Sequence, residues 1–329
     1  MDNPSSRIEW RPTATIENLR LRGRVLASIR AFFAERGVLE VETPVLSTAT
    51  ATDPHLDSLV TRYTGPGAAA GLTLYLQTSP EFAMKRLLAA GSGPIYQLGK
   101  AFRNGEAGRR HNPEFTLLEW YRPGFDLRAL MDEVEALIAS LLGTPAAERL
   151  SYAEAFIRHA GIDPHAATAV ELKRLAALKK LGESLDLSDE DKDGWLDLLL
   201  THLVEPHLGK ERPVFIFDYP PSQAALARIR PGNPSVAERF ELYIDGIELA
   251  NGYHELGDAR EQRCRSEADR ERRRIAGLPG TPIDERLLAA LEHGLPDCSG
   301  VALGIDRLVM IAAQAQTLNE AMAFPLLCV

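Results

Sequence analysis

The sequence predicts an α+β protein, an antiparallel sheet flanked by helices, in residues 16–329 behind a short tail at 1–15. Three observations predict it. Two stretches, Ile95–Arg122 and Glu238–Leu256, read as antiparallel hairpins. Apolar residues recur at the helical period in the segments around them. At residues 298–314 a short strand runs directly into a helix.

The elements follow in chain order. From Ile16 to Arg36, Leu19, Val25, Leu26, Ile29, Phe32 and Phe33 fall on one helical face, and Gly37 is a stop signal. VLEVETPVL then reads as a strand broken at Pro44, because proline cannot donate to a ladder. Beside a long amphipathic helix that edge is a candidate dimer surface, although on the pattern alone ordinary helix–strand packing is the stronger reading. Residues 50–71 form a loop with a short strand, and LTLYLQT is a strand. SPEFAMKRLLAAG is a helix with Ser79 as N-cap, Pro80 at its first position and Gly91 past its end. Glu81 either complements the helix dipole or holds a substrate ammonium. Residues 126–212 read as a mostly helical insertion with no chemistry, including a helix opened by Ser188. Pro213–Tyr219 is a buried strand.

The first hairpin is rich in charge. Side chains alternate along a strand, so Glu119 and Tyr121 share a face while Leu118 and Trp120 point the other way. Arg103 ends the first strand, and the loop carries Glu106, Arg109, Arg110, His111 and Asn112. The pattern suits a polyanion site beside an ammonium site, or a solvated edge hairpin.

In the second hairpin, Asp245-Gly246 is a type I′ turn signal. It pairs Tyr243 with Glu248 and Leu242 with Leu249. Glu241 and Glu248 then lie on one face, about 7–8 Å apart. Such a pair suits Mg²⁺ completed by phosphate oxygens, or is a solvent-facing acidic pair. Asn251 and Glu255 follow. His254-Glu255 is not a zinc-protease motif, since Asp258 stands where the second histidine belongs. Residues 259–274 hold seven arginines and four acids, and read as a solvated helix with pairs such as Asp269–Arg273. That helix and Arg109-Arg110 are the candidate docking surfaces for a protein partner. In CSGVALGIDRLVMIAAQ, Gly300 and Gly304 allow close backbone approach to a ligand. Arg307 in the helix's first turn opposes the dipole unless an anion binds there; its simplest alternative partner is Asp306.

Composition narrows the class. The 329 residues carry a net charge of −9, which argues against a non-specific nucleic-acid binder. No apolar run is long enough to cross a bilayer, and MDNPSSRIEW lacks a signal-peptide core. Three scattered cysteines make neither a disulfide framework nor a zinc site. A cytoplasmic protein is expected. Walker and GxGxxG motifs are both absent from the sequence.

Together these pieces resemble the three motifs of class II aminoacyl-tRNA synthetases: Pro44 after its helix, FRNGE…RHNPEFTLLEWY, and GVALGIDRL. TSPE, RHNPEF and ELANGYHEL are similar to lysyl-tRNA synthetase, yet no anticodon-binding domain fits ahead of residue 19. The chain therefore resembles the elongation factor P–(R)-β-lysine ligase family. The resemblance implies ATP and Mg²⁺, (R)-β-lysine or lysine as substrate, elongation factor P as acceptor, a homodimer, and no role for tRNA. It also implies roles. Arg103 and Arg307 are catalytic and bind nucleotide, with Asn104, Gly105, His111, Asn112, Glu248, Leu249 and Gly304. Ser79, Pro80, Glu81, Glu119, Tyr121, Asn251, Glu255 and Ala302 hold the amino-acid substrate. Glu241 and Glu248 bind the metal. Two departures from lysyl-tRNA synthetases stand out: Gly105 stands at their glutamate position, and Ala302 stands where they have a glycine, a methyl that can bias the pocket between amino-acid isomers by about 1–3 kcal/mol. A tRNA-charging enzyme and a non-catalytic amino-acid sensor are the rival readings.

Overall fold

The computed structural model describes residues 10–182 and 187–328; residues 1–9 of the expected tail lie outside the described residues. Helix α1 (Ile16–Glu35) starts where the Thr15 hydroxyl accepts from the Asn18 amide. The residues before it are not loose, because the Thr13 and Ala14 amides donate to the Ala323 and Met322 carbonyls. Strands β1 (Leu39–Glu40) and β2 (Leu46–Ser47) flank Pro44. Next come β3 (Val60–Tyr63), β4 (Leu72–Leu76) and α2 (Glu81–Ala89). Pro80, not Ser79, occupies the cap position of α2. The Ser79 hydroxyl still accepts from the Glu81 amide at 3.0 Å, so the cap is shifted by one residue.

The first hairpin is β5 (Ile95–Phe102) and β6 (Glu114–Pro123). The insertion holds α3 (Leu127–Leu142), β7 (Glu148–Ser151), α4 (Tyr152–Ala160), α5 (Ala169–Leu178) and α6 (Lys192–Leu199). Asp191 rather than Ser188 caps α6, its carboxylate accepting from the Gly194 amide. Strands β8 (Val214–Tyr219), β9 (Ile229–Arg230), β10 (Val236–Ile244) and β11 (Ile247–His254) follow, then α7 (Ala259–Ile275), α8 (Glu285–Gly294), β12 (Cys298–Gly304) and α9 (Ile305–Ala312).

The main sheet runs β1-β5-β6-β12-β11-β10-β8-β7, with β9 paired to β10; β2-β4-β3 form a second, small sheet. Strands β5 to β8 along that order are antiparallel, but β1 pairs parallel to β5 and β7 parallel to β8. The expected antiparallel sheet is thus mixed at its two edges. On one face Leu118 and Trp120 join Phe33 of α1, Leu130 and Val134 of α3, and Leu308 of α9 in the main core. Alternation turns Glu119 and Tyr121 to the other face. The central β-turn is type I′ as expected, with φ +52° at Asp245 and +69° at Gly246. A bulge after Leu242 corrects the predicted register: Leu242 faces Ala250, not Leu249, while Tyr243 does face Glu248.

One polar tie crosses the fold. Arg22 of α1 donates to Asp306 of α9 at 2.6 Å and to the Thr116 hydroxyl of β6 at 2.7 Å, and the Thr116 amide donates to the other Asp306 oxygen. Arg22→Met would leave the Asp306 carboxylate buried without its ion partner. We expect a loss of about 2 kcal/mol in unfolding free energy by urea titration, the buried-pair cost discounted for Arg22's partial exposure.

Candidate active site

A cavity of about 450 Å³ opens on the sheet face opposite the main core, walled by β6, β11, β12, the start of α2 and the loop at 53–56. Its two halves differ in charge.

One half is cationic. Arg103 follows the last residue of β5, and its guanidinium lies 5.1 Å from the Phe115 ring centroid. Its only acid partner among the described residues is Glu106, at 3.5 Å. The buried Nε of Arg103 has no hydrogen-bond partner there. A guanidinium with so few internal bonds suits an anion. Arg307 enters the same cavity from the first turn of α9. It does not pair with Asp306, which turns away to Arg22. Instead it donates to the Glu248 carbonyl at 2.7 Å, to a Glu248 carboxylate oxygen at 3.3 Å, and to His111 Nε2 at 2.7 Å. Burial, then the charge of Arg307, holds the His111 pKa below its usual value. The ring is therefore neutral, with Nε2 as acceptor.

Glu248 stands between these arginines and a second acid group. Burial and then Glu241 push its pKa up, while Arg307 and Arg103 pull it down. Glu205, from the insertion read as devoid of chemistry, is raised to about 7 by burial, Glu241 and Glu248. Such crowding of like charges favours a cation. Glu241 does not line the cavity. One of its oxygens accepts from the Tyr219 and Tyr243 hydroxyls, the other from Arg239. A carboxylate oxygen has two lone pairs, so the oxygen bonded to Arg239 keeps one. Of the expected metal pair only Glu248 lines the cavity, and among the described residues no group of three or more metal-ligating side chains is gathered.

The other half is anionic. Ser79 donates to one oxygen of Glu119 and Tyr121 to the other, both at 2.6 Å. Burial, and then Glu81, lift the Glu119 pKa to about 8. Glu255 is lifted to about 7 by burial, against the pull of Lys85. Lys85 of α2 lies behind them, 2.6 Å from both Glu81 and Glu255. Gly300 permits this packing: a Cβ there would sit 2.3 Å from the Tyr121 ring and 2.7 Å from Glu255. The glycine accommodates the approach of these two side chains. Gly304 has no such constraint, a Cβ meeting only the Arg307 side chain at 3.8 Å. Ala302, opposite Glu119 and Asn251, reaches the cavity floor.

Several expected residues stand apart. Asn104 bonds Asp57, Gly105 sits in the turn with φ +81°, and Pro80 lies behind Ser79; none lines the cavity. Asn112 lines it, but its amide donates to the Glu114 carbonyl and accepts from the Leu326 amide. Asn251 and Leu249 both line the wall, with Leu249 only 2% exposed. Arg273 is not on a solvated helix face. It is 1% exposed and donates to the Asp53 and Leu56 carbonyls and to Asp57, fixing the 53–57 loop against the cavity. Asp269 pairs with Arg272 instead.

Residues 5–327 match the family model of class II tRNA synthetases (D, K and N). The chain belongs to that family. The class II tRNA synthetase assignment sharpens with its relatives. The chain is 57% identical over 321 residues to a Yersinia enterocolitica protein named elongation factor P–(R)-β-lysine ligase, covering 98% of each chain. Proteins of that name from Edwardsiella ictaluri (57% over 320 residues, 97% and 98% covered) and Yersinia pestis (57% over 321, 98% of each) are equally similar. Within the class II synthetases, then, the chain groups with these ligases.

Proposed function

We propose that this protein is a ligase that uses ATP to activate (R)-β-lysine as an aminoacyl-adenylate and passes it to a lysine side chain of elongation factor P. The observation that carries the reading is the division of one cavity into a two-arginine half and a three-glutamate half. A molecule with a carboxylate and two ammonium groups fits across that division, its carboxylate beside a triphosphate. In the first step the substrate carboxylate attacks the α-phosphorus of ATP and pyrophosphate leaves. Arg103 bridges the two reacting anions. Arg307, backed by neutral His111, holds the γ-phosphate. Glu248 and Glu241 would hold Mg²⁺, which neutralises phosphate charge when bound. Glu81, Glu119 and Glu255 receive the amines, with Tyr121 and Ser79 orienting Glu119. An acceptor amine then attacks the mixed anhydride and releases AMP.

The protein acts as a homodimer in this reading. Leu39, Val45, Leu46, Val60, Tyr63 and Leu72, all on or beside β1 to β4, are 41–59% exposed. Exposed apolar side chains of this kind are the candidates for an interface. No helix among the described residues is long and apolar enough to cross a membrane, and we place the protein in the cytoplasm with its acceptor.

The deciding experiment is ATP–pyrophosphate exchange with (R)-β-lysine and α-lysine side by side, followed by transfer of label to purified elongation factor P or to tRNA. Exchange favouring the β-isomer and label on the protein are expected. Label on tRNA, or binding without exchange, would replace the reading by one of its rivals.

The pH dependence follows from the carboxyl groups. Ammonium groups bind to ionised Glu255 and Glu119, whose pKa values stand at about 7 and about 8. Below those values a proton must leave as substrate binds. The KM for the diamino acid is expected to fall up to about tenfold per displaced proton for each pH unit between pH 6 and 8, by linkage, with the KM for ATP nearly constant. A flat amine profile over that range would contradict it.

A further inference from the structure

The anionic half of the cavity contains a charge that the reaction does not use. Lys85 is 2% exposed, does not line the cavity, and touches Glu81 and Glu255 from behind, at 2.6 Å each. Glu81 is its i,i+4 neighbour on α2; Glu255 follows the far end of β11. The third acid, Glu119, is held by Ser79 and Tyr121 and makes no ion pair among the described residues. With all three carboxylates ionised, the form in which they bind ammonium groups, one lysine leaves the half-cavity two positive charges short.

We propose that Lys85 is a specificity-determining positioning residue: a built-in counter-ion that holds Glu81 and Glu255 in place and leaves the pocket two charges short, so that it accepts a doubly cationic amine. This rests on reading the cavity as the diamino-acid site. A substrate with two ammonium groups brings the pocket to neutrality. A monoamine leaves one carboxylate buried without a partner, which is strongly unfavourable. Without Lys85, Glu81 and Glu255 would repel each other or share a proton, and either change spoils the acceptor geometry.

The test compares wild-type enzyme with Lys85→Met and Lys85→Arg by ATP–pyrophosphate exchange with (R)-β-lysine. Lys85→Met is expected to raise the KM for the diamino acid about 50-fold, within the cost of truncating a buried charge pair, and the KM for ATP by less than about threefold. Its amine KM should keep improving at a pH where the wild-type value has levelled, because the unneutralised carboxylates retain a proton. Lys85→Arg should recover part of the loss. A diamino-acid KM within about threefold of wild type, or equal rises in both KM values, would overturn the proposal. Should Lys85→Met fail to fold, inhibition of the wild-type enzyme decides. Diaminobutane, which has the amine spacing of β-lysine without its carboxylate, should inhibit about 100-fold more tightly than butylamine; equal inhibition would overturn the proposal. Failure of the broader reading looks different, since wild-type enzyme would then show no exchange with any diamino acid.

Discussion

Arg103→Ala is expected to lower ATP–pyrophosphate exchange about 10³-fold, at the upper end of what removing one preorganised transition-state donor does. The fold should hardly notice. Arg103 has a long 3.5 Å contact with Glu106, stacks on Phe115 and leaves its buried Nε unbonded, so there is little internal bonding to lose. Its melting temperature should stay within a few degrees of wild type. Arg103→Lys should not restore the rate, because a point charge cannot bridge carboxylate and phosphate as a planar fork does. Exchange at the wild-type rate in the alanine variant would remove Arg103 from the reaction, and the assignment of the cationic half with it.

Glu255→Gln is expected to act on the opposite half. Glu255 is 5% exposed, 2.6 Å from Lys85, and accepts a hydrogen bond from the Gly300 backbone. The amide keeps the shape and removes the charge. The loss should appear as about a 10²–10³-fold fall in kcat/KM for the diamino acid, the scale for breaking a buried, hydrogen-bonded charge pair. The KM for ATP should change by less than about threefold, because Arg307, Glu248 and the nucleotide half are untouched. Parallel losses for both substrates would mean that Glu255 supports the fold rather than the amine.

Much of this arrangement was legible in the sequence, where local signals suffice. Asp245-Gly246 fixed a turn whose two positive φ angles are those of a type I′ hairpin. Alternation on β6 separated Leu118 and Trp120 of the core from Glu119 and Tyr121 of the cavity. Residues 216 to 220 apart in the chain could not be linked that way: Arg273 looks like any other arginine on a charged helix until Asp53, Leu56 and Asp57 fold against it. Lys85 has the same disguise, its partner Glu255 arriving from a distant strand. Glu205 sits in a helical insertion with no local mark of its nearness to Glu248. The extra residue of β11, Leu249, shifted the register by one without a glycine or proline at that position to announce it. Strand β7, four residues long, was hidden between helices and pairs parallel at the sheet edge.

Along the stretch of β12 that floors the cavity, Gly300 can bear no side chain and Ala302 contributes one methyl. Of these two positions, only 302 is expected to tune the cavity without moving Tyr121 and Glu255. Shaving residue 302 to glycine makes room for a bulkier or differently branched amino acid, and enlarging it to valine closes the door on the natural one. Substitution at 300 is expected to push Tyr121 and Glu255 out of place, whereas substitution at 302, alone or with Asn251 opposite it, is expected to change which amino acid fits.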